Sequence, residues 1–177
     1  IELDPFPEIE LSVTNQCDGI SGSFGVEVKL TEEGIAPYFI SVDGNPFVSA
    51  STLATVDDTF NVGALTAGTH RITIKDANGC EFSDQVDVFA PLTLQAVITT
   101  ELFCDPIDQG AIDINVAGGS GNFTYAIIST NGNTSGDVSG SYTGLAAGEY
   151  EFEVTDGTTG CTDTVKATLT PPETPVF

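Results

Sequence analysis

Cysteine is the residue type in this sequence with the clearest capacity for chemistry. Four are present, Cys17, Cys80, Cys104 and Cys161, and such residues usually ligate a metal or pair as disulfides. A structural zinc site needs closely spaced cysteine and histidine ligands, whereas this chain has no Cys-x-x-Cys pair and a single histidine. The cysteines therefore predict disulfides, with three pairings open. Disulfides in turn indicate an extracellular setting.

His70 is the only histidine in the chain and is therefore weighed as a catalytic base. Serine- or cysteine-type catalysis would need a nucleophile and an orienting acid around it. His70 falls on the inward face of a strand pattern, and its counterpart in a second, similar segment is Tyr150. That position resembles the tyrosine corner of β-sandwich folds. We therefore expect His70 to be structural and the chain to have no catalytic residues.

Carboxylates are the remaining candidate ligands. Acidic residues lie in pairs at Glu32–Glu33 and Asp57–Asp58, and they cluster at Asp105, Asp108 and Asp113. Calcium takes about six to eight oxygen ligands, often from loops, but none of these segments has the spacing of an EF-hand. We predict no cofactor, and we expect these acidic side chains to be solvated rather than bound to a metal. If calcium binds, Asp105 and Asp108 are the expected ligands.

Two further acids, Asp76 and Asp156, precede the similar segments DANGC and DGTTGC. Aspartate at such a place accepts hydrogen bonds from the following backbone and sets a turn, and glycine supplies the positive φ that the turn requires. We expect both aspartates to organise turns, with calcium ligation as the alternative.

An internal duplication surrounds these residues and sets the domain organisation. Residues 60–80 read FNVGALTAGTHRITIKDANGC, and residues 141–161 read SYTGLAAGEYEFEVTDGTTGC. Positions 65, 68, 72, 74 and 76 match positions 145, 148, 152, 154 and 156 at a constant offset. Upstream, Cys17 matches Cys104. The chain is therefore predicted to contain two domains, residues 1–91 and 92–177, each of a size that suits an immunoglobulin-like sandwich.

Alternation of apolar and polar residues predicts short strands and no helices. The strands are expected at 8–14, 23–30, 36–43, 57–63, 69–76 and 82–89 in the first copy, and at 92–100, 110–117, 122–129, 138–143, 148–155 and 162–169 in the second. The predicted fold is all-β, with two tandem immunoglobulin-like antiparallel β-sandwich repeats.

The duplication favours one disulfide within each copy, Cys17–Cys80 and Cys104–Cys161. A disulfide requires Cα atoms within about 7 Å, whereas a seven-residue strand is about 23 Å long. Both cysteines of a copy must then lie at the same end of its sandwich. Six strands per copy permit this, while one further strand between the cysteines would place them at opposite ends.

The charge is strongly acidic, with 26 acidic and four basic residues and a net charge of −22. Such a surface repels phosphate backbones and anionic lipids, which excludes nucleic acid as an expected partner. No apolar run approaches the roughly 20 residues that span a bilayer, so membrane insertion is not expected. The first residues, IELDPFPEIE, lack the features of a signal peptide, and we expect an interior segment of a larger protein.

The order of motifs resembles a known repeat. A cysteine is followed by a strand, an aromatic strand, the pattern L-x-A-G-x-Y-x-F-x-V-x-D and a closing Gly-Cys. The chain is similar in this to the SprB-type repeat of Bacteroidota gliding adhesins and related giant cell-surface proteins. The matching residues are Cys17, Pro37, Tyr38, Leu65, Ala67, Gly68, Asp76, Gly79 and Cys80, and Cys104, Tyr125, Leu145, Ala147, Gly148, Tyr150, Asp156, Gly160 and Cys161. The resemblance implies a role in gliding motility and export by type IX secretion.

The predicted function is a non-catalytic structural or adhesive segment of a large secreted surface protein, acting as a stiff disulfide-closed stalk. The expected partners are neighbouring repeats of the same protein, together with a surface polysaccharide or another surface protein. One alternative is a glycan-binding module, with or without the help of calcium, for which Phe47, Phe103 and Tyr142 are the least constrained aromatic residues. Another is the accessory region of a secreted enzyme.

Overall fold

The computed structural model describes residues 6–18, 23–103, 110–129 and 139–171 of the chain. Thirteen strands and no helix lie within these residues. No helix there is long and apolar enough to cross a membrane. The chain divides into two compact units, residues 1–91 and residues 92–177, called unit 1 and unit 2 below. The all-β, immunoglobulin-like sandwich fold that was expected is confirmed.

Unit 1 consists of two antiparallel sheets. One has the strand order β1-β2-β5, and the other has the order β4-β3-β6-β7. The strands are β1 (Glu8–Val13), β2 (Phe24–Glu32), β3 (Phe39–Val42), β4 (Val48–Ser49), β5 (Thr59–Leu65), β6 (Gly68–Lys75) and β7 (Glu81–Val88).

The core of unit 1 follows from strict alternation. In β2 the side chains of Phe24, Val26, Val28 and Leu30 are fully buried, and the residues between them are partly exposed. Successive side chains of a strand point to opposite faces, so this strand presents one apolar face to the other sheet. The opposing face comes mainly from β3 and β6, whose buried members are Ile40, Ile72 and Ile74.

Unit 2 repeats this plan. Its sheets have the orders β11-β9-β8 and β10-β12-β13. The strands are β8 (Thr93–Thr100), β9 (Gly110–Ala117), β10 (Phe123–Ile127), β11 (Ser141–Leu145), β12 (Gly148–Asp156) and β13 (Thr162–Leu169). As the sequence predicts, Tyr150, Phe152 and Val154 of β12 are fully buried, and the glutamates between them are partly exposed.

The short strand β4 is the element that the sequence analysis missed. It forms a hairpin with β3 through the turn Asp43–Gly44, both residues of which have positive φ (52° and 75°), and the amide of Asn45 bonds the carbonyl of Val42 at 2.9 Å. Asp-Gly is a strong signal for a two-residue hairpin turn of this kind. The sequence contained that signal, but only two residues pair beyond it, too few to show alternation.

Candidate functional site at the ends of the units

The loop after β1, which carries Cys17, is fastened to the end of β7. The side chain of Gln16 donates to the carbonyl of Phe89 at 2.6 Å and accepts from the amide of the same residue at 3.0 Å. Both groups of a buried amide side chain are thereby satisfied by one backbone position. The loop with Cys17 consequently lies at the end of unit 1 where the chain leaves for unit 2.

Cys80 lies at the opposite end of the same strand. It immediately precedes Glu81, the first residue of β7, and an eight-residue strand is about 26 Å long. A disulfide needs Cα atoms within about 7 Å, so Cys17 and Cys80 are too far apart to pair. Cys80 is a free, partly exposed thiol. The predicted Cys17–Cys80 disulfide is therefore wrong.

Strand β4 accounts for this error. The segment that contains β4 returns from the β3 hairpin to the far end of β2, where the amide of Asp57 bonds the carbonyl of Leu30 at 2.9 Å. The chain thus crosses the sandwich once more between Cys17 and Cys80 than the six-strand count allows. An additional crossing places the two cysteines at opposite ends.

The turn before Cys80 is built on the carboxylate of Asp76, which is 2% exposed. Its Oδ1 atom accepts the amides of Asn78 at 2.9 Å and Cys80 at 2.8 Å. Its Oδ2 atom accepts the amide of Ile35 at 3.1 Å, and Gly79 has the positive φ of 85° that the turn requires. Asp76 therefore holds the Cys80 backbone in place and ties it to the loop between β2 and β3.

Asp156 makes the equivalent turn before Cys161 and is fully buried. Its carboxylate accepts the amide of Ser120 at 2.5 Å, the hydroxyl of Ser120 at 2.7 Å and the amides of Thr158 and Thr159 at 2.9 Å and 3.1 Å. Burial opposes ionisation, but the hydrogen bonds outweigh it and lower the pKa of Asp156 to about 2. The predicted turn-setting geometry is thus present at both aspartates.

Both turns lie beside the residue at which the chain enters their unit. A Cβ atom placed on Gly119 would meet Asp156 Oδ2 at 2.6 Å and Leu92 at 2.7 Å. A Cβ atom placed on Gly34 would meet Asp76 Oδ2 at 2.8 Å and Pro7 at 2.8 Å. Each aspartate turn therefore marks the entry end of its own unit.

Cys17 and Cys161 are both disulfide-bonded. Cys17 belongs to the loop fastened at Phe89, at the exit end of unit 1, and Cys161 belongs to the turn at the entry end of unit 2. Cys104 lies outside the described residues, so the predicted Cys104–Cys161 disulfide stays a prediction.

No protein-family model and no curated protein sequence matches the chain. Several solved structures are similar to the chain. The C-terminal 282-residue fragment of intimin, solved in complex with the intimin-binding domain of the translocated intimin receptor, matches with a TM-score of 0.63 and 15% identity over 93% of this chain. The chain spans 64% of the length of that fragment.

Two other structures match with lower TM-scores. The fibronectin(III)-like modules of Clostridium thermocellum CbhA give 0.39 at 13% identity, covering 92% of this chain and 95% of theirs. The amphioxus IgVJ-C2 molecule gives 0.42 at 14% identity, covering 93% and 97%. At such an identity the intimin likeness shows the fold alone, that of an immunoglobulin-like β-sandwich.

His70 is held on both sides by groups that can only accept hydrogen bonds. Its Nδ1 atom lies 2.7 Å from Asp43 Oδ2, and its Nε2 atom lies 2.8 Å from the carbonyl of Thr66. A neutral imidazole has one N–H and can satisfy only one of them. The hydrogen bond to Asp43 raises the pKa of His70, and the hydrogen bond to the carbonyl of Thr66 raises it further. The hydrogen bond between His70 and Asp43 also lowers the pKa of Asp43.

This geometry gives His70 a structural role. In unit 2 the hydroxyl of Tyr150 donates to the carbonyl of Ala146 at 2.9 Å, four residues back as for His70 and Thr66. Both ring nitrogens of His70 are engaged, so neither is free to take a proton from a nucleophile. The sequence analysis placed His70 correctly and missed Asp43, whose hairpin turn brings it beside the ring.

The proposed calcium ligands Asp105 and Asp108 lie outside the described residues. Among the residues that are described, no group of three or more histidine, cysteine, aspartate or glutamate side chains could hold a metal ion. Glu33 accepts the amide of Val56 at 2.9 Å, and Asp58 accepts the amides of Ala54 and Thr55 at 2.9 Å and 2.7 Å. These two acids organise the loop before β5.

Of the three aromatic residues considered for glycan binding, only Phe103 is exposed. Tyr142 is 2% exposed and packs against Phe152 at 4.8 Å between ring centroids. The ring of Phe47 lies under Lys75, with the ammonium 3.8 Å from its centroid. Phe103 is 69% exposed. One exposed ring is not the platform of several rings that sugar binding by stacking would use.

Proposed function

We propose that the chain is a non-catalytic structural or adhesive segment of a secreted cell-surface protein, built from immunoglobulin-like units and stiffened by disulfide bonding. The observation that supports this most directly is that Cys17, in unit 1, and Cys161, in unit 2, are both disulfide-bonded.

The expected consequence is mechanical. A pulling force on the two ends of the chain passes through a disulfide, and the residues that the disulfide encloses carry none of that force while the bond is intact. Oxidised cysteines therefore limit how far the chain extends under load.

Single-molecule stretching of the full chain tests this proposal. We expect the oxidised protein to extend less than the reduced protein, because reduction frees the residues that a disulfide encloses. The Cys17→Ser variant should show the long extension without reductant. The Cys80→Ser variant is the matched control and should behave as the unaltered protein does.

The proposal is overturned if the oxidised protein and the Cys17→Ser variant extend by the same length. A failure of folding would be recognised separately, because the variant and the unaltered protein would then differ in their circular dichroism spectra. Reversal of the long extension on reoxidation would exclude damage by the reductant.

The surface setting and the partners belong to the same proposal. Disulfides persist in oxidising compartments, and the net charge of −22 keeps neighbouring copies apart in solution. The intimin fragment with a similar fold was solved with a receptor domain bound, which favours a protein as the partner of this chain. The resemblance to SprB-type repeats favours a gliding adhesin exported by type IX secretion, with many such units in series.

A further inference from the structure

The buried ring of His70 contacts two turns of unit 1 at once. Its Nδ1 atom lies 2.7 Å from the carboxylate of Asp43, in the turn between β3 and β4, and its Nε2 atom lies 2.8 Å from the carbonyl of Thr66, in the turn between β5 and β6. Both partners only accept hydrogen bonds, so both bonds exist together only when each ring nitrogen carries a proton. The ring therefore joins the two turns in its protonated state.

The two acceptors differ in strength, and this decides which bond a neutral ring keeps. The Asp43 carboxylate is charged and also accepts the amide of Arg71 at 2.8 Å, and a hydrogen bond to a charged acceptor is stronger than one to a carbonyl. A ring without a proton on Nδ1 would turn a lone pair toward that negative charge. A neutral His70 therefore keeps its bond to Asp43 and turns the lone pair of Nε2 toward the carbonyl of Thr66.

The turn that contains Thr66 is also strained. Ala64 has a φ of 61°, a left-handed conformation that residues with a Cβ atom rarely adopt. At the matching position of unit 2 stands Gly144, with a φ of 69°, and there the donor to the turn carbonyl is the hydroxyl of Tyr150. Unit 1 thus combines a strained residue with a donor that depends on pH, and unit 2 has neither feature.

We propose that residues 64–67, called the β5–β6 turn below, form a proton-dependent switch. The imidazolium of His70 holds this turn beside Asp43, and loss of the proton on Nε2 releases the carbonyl of Thr66 to solvent and lets Ala64 leave its left-handed conformation. The side chains of residues 64, 66 and 67 are exposed, so the turn can rearrange without uncovering them from a core.

Among the described residues, Asp43 is the charged group that contacts the ring of His70. Arg71 and Asp87 project from the other face of the same sheet, because successive side chains of a strand alternate. Asp84 lies on the same face of β7 as the partner of His70, two residues further along the strand, and is exposed. The contact with Asp43 therefore fixes which ring nitrogen keeps its proton.

NMR of the full chain, labelled with ¹³C and ¹⁵N and titrated from about pH 5 to about pH 9, tests this proposal. We expect the carbonyl carbon of Thr66 to shift with the same midpoint as the His70 ring, and the ring nitrogen shifts at high pH to place the remaining proton on Nδ1. The carbonyl carbon of Ala146 is the internal control and should not follow this midpoint, because its donor is Tyr150.

Ala64→Gly separates the strain from the hydrogen bond. Relief of strain on release favours the neutral ring, so removing the strain should raise the midpoint of His70 and reduce the shift changes of the β5–β6 turn amides. Ala67→Gly is the matched control, since Ala67 lies in the same turn without a positive φ, and it should change the midpoint less.

A Thr66 carbonyl carbon that stays constant while the ring titrates would overturn the proposal, and so would a neutral ring protonated on Nε2. Equal midpoints in the unaltered protein and the Ala64→Gly variant would also contradict it. The signals of unit 2, which contains neither substitution, show in the same spectra whether each variant is folded.

Discussion

At the scale of single residues, the carboxylates of Asp76 and Asp156 have the most clearly defined structural role, which is to organise a turn. Each is buried, and its carboxylate oxygens accept hydrogen bonds from the backbone amides of the turn that follows. Aspartate suits this position because an ionised carboxylate offers only acceptors, and several amides of one turn can point at it. The turn that holds a cysteine in place is therefore specified by one side chain and one glycine.

The lowered pKa of Asp156 makes the stability of unit 2 depend on pH. A carboxyl group whose folded pKa is about 2, against 3.8 for its ordinary value, stabilises the fold above about pH 4. That contribution, on the order of 2 kcal/mol, is lost as the pH falls toward 2. We expect Asp156→Asn to weaken this acid dependence in urea unfolding curves followed by the fluorescence of the core tyrosines.

Asp163→Asn is the control for this measurement. Asp163 lies at the start of the adjacent strand and accepts the amide of Thr164 at 2.8 Å, but it is partly exposed. The Asp163→Asn variant should leave the acid dependence of the free energy of unfolding unchanged. An Asp156→Asn variant with the unaltered acid dependence would show that another group is responsible.

His70 offers a second titration, with the opposite sign. Its raised pKa means that its contribution to stability is complete below the pKa of the unfolded chain, about 6.5, and disappears as the pH rises through the folded value. Because the chain has one histidine, its ring protons can be followed by NMR without ambiguity. We expect a midpoint above 6.5, and a lower midpoint in Asp43→Asn.

Asp87→Asn provides the comparison for the NMR experiment. Asp87 is an exposed acid on the neighbouring strand, where its carboxylate bonds the hydroxyl of Thr69. Neutralising it removes a nearby negative charge but no contact with the ring, so its effect on the His70 midpoint should be the smaller. Equal effects would mean that general charge, and not the Asp43 hydrogen bond, raises the pKa.

At the scale of elements, the twelve strands expected from alternation are all present, with ends shifted by a few residues at most. Alternation succeeds because each sheet has one buried face, and a strand shifted by one residue would expose its apolar side chains. Alternation fails to predict β4, because both residues of that strand are exposed. The hairpin turn of β4 is fixed instead by backbone conformation.

Gly44→Ala tests that explanation. Gly44 has a φ of 75°, and a Cβ atom there would meet nothing within 4 Å, so any cost is backbone strain alone. We expect a loss of about 1 kcal/mol in the free energy of unfolding, measured by chemical denaturation. Gly63→Ala is the control, since its surroundings are equally open and it lacks a positive φ. Equal effects of the two changes would contradict the assignment.

At the scale of the whole molecule, the dominant property is negative charge. All but four of the charged residues are acidic, and the lysine ion pairs among the described residues are exposed, such as Lys29 with Asp57 at 2.7 Å. Exposed pairs of this kind contribute little to stability. Repulsion among the remaining acids therefore opposes folding, and salt should relieve it.

We expect the thermal unfolding midpoint to rise as sodium chloride is increased from about 10 to about 200 mM, where the Debye length falls to several ångströms. Glu153→Gln should reduce this dependence, because the residues directly opposite Glu153, Ala126 and Thr164, carry no charge. Calorimetry of both proteins in both salts is the measurement. A midpoint that falls with salt would show that attraction, and not repulsion, dominates.

The sequence by itself determined the strands, the buried faces and the aspartate turns, because each depends on residues that are near one another along the chain. Alternation places Phe152 and Val154 inward, and Asp76 organises the amides of the turn that follows it. The tertiary structure decided which distant groups meet. Asp43 reaches His70 through a hairpin. Cys17 does not pair with Cys80, because the number of strand crossings sets the end of the sandwich at which a residue lies, and no local pattern records that number.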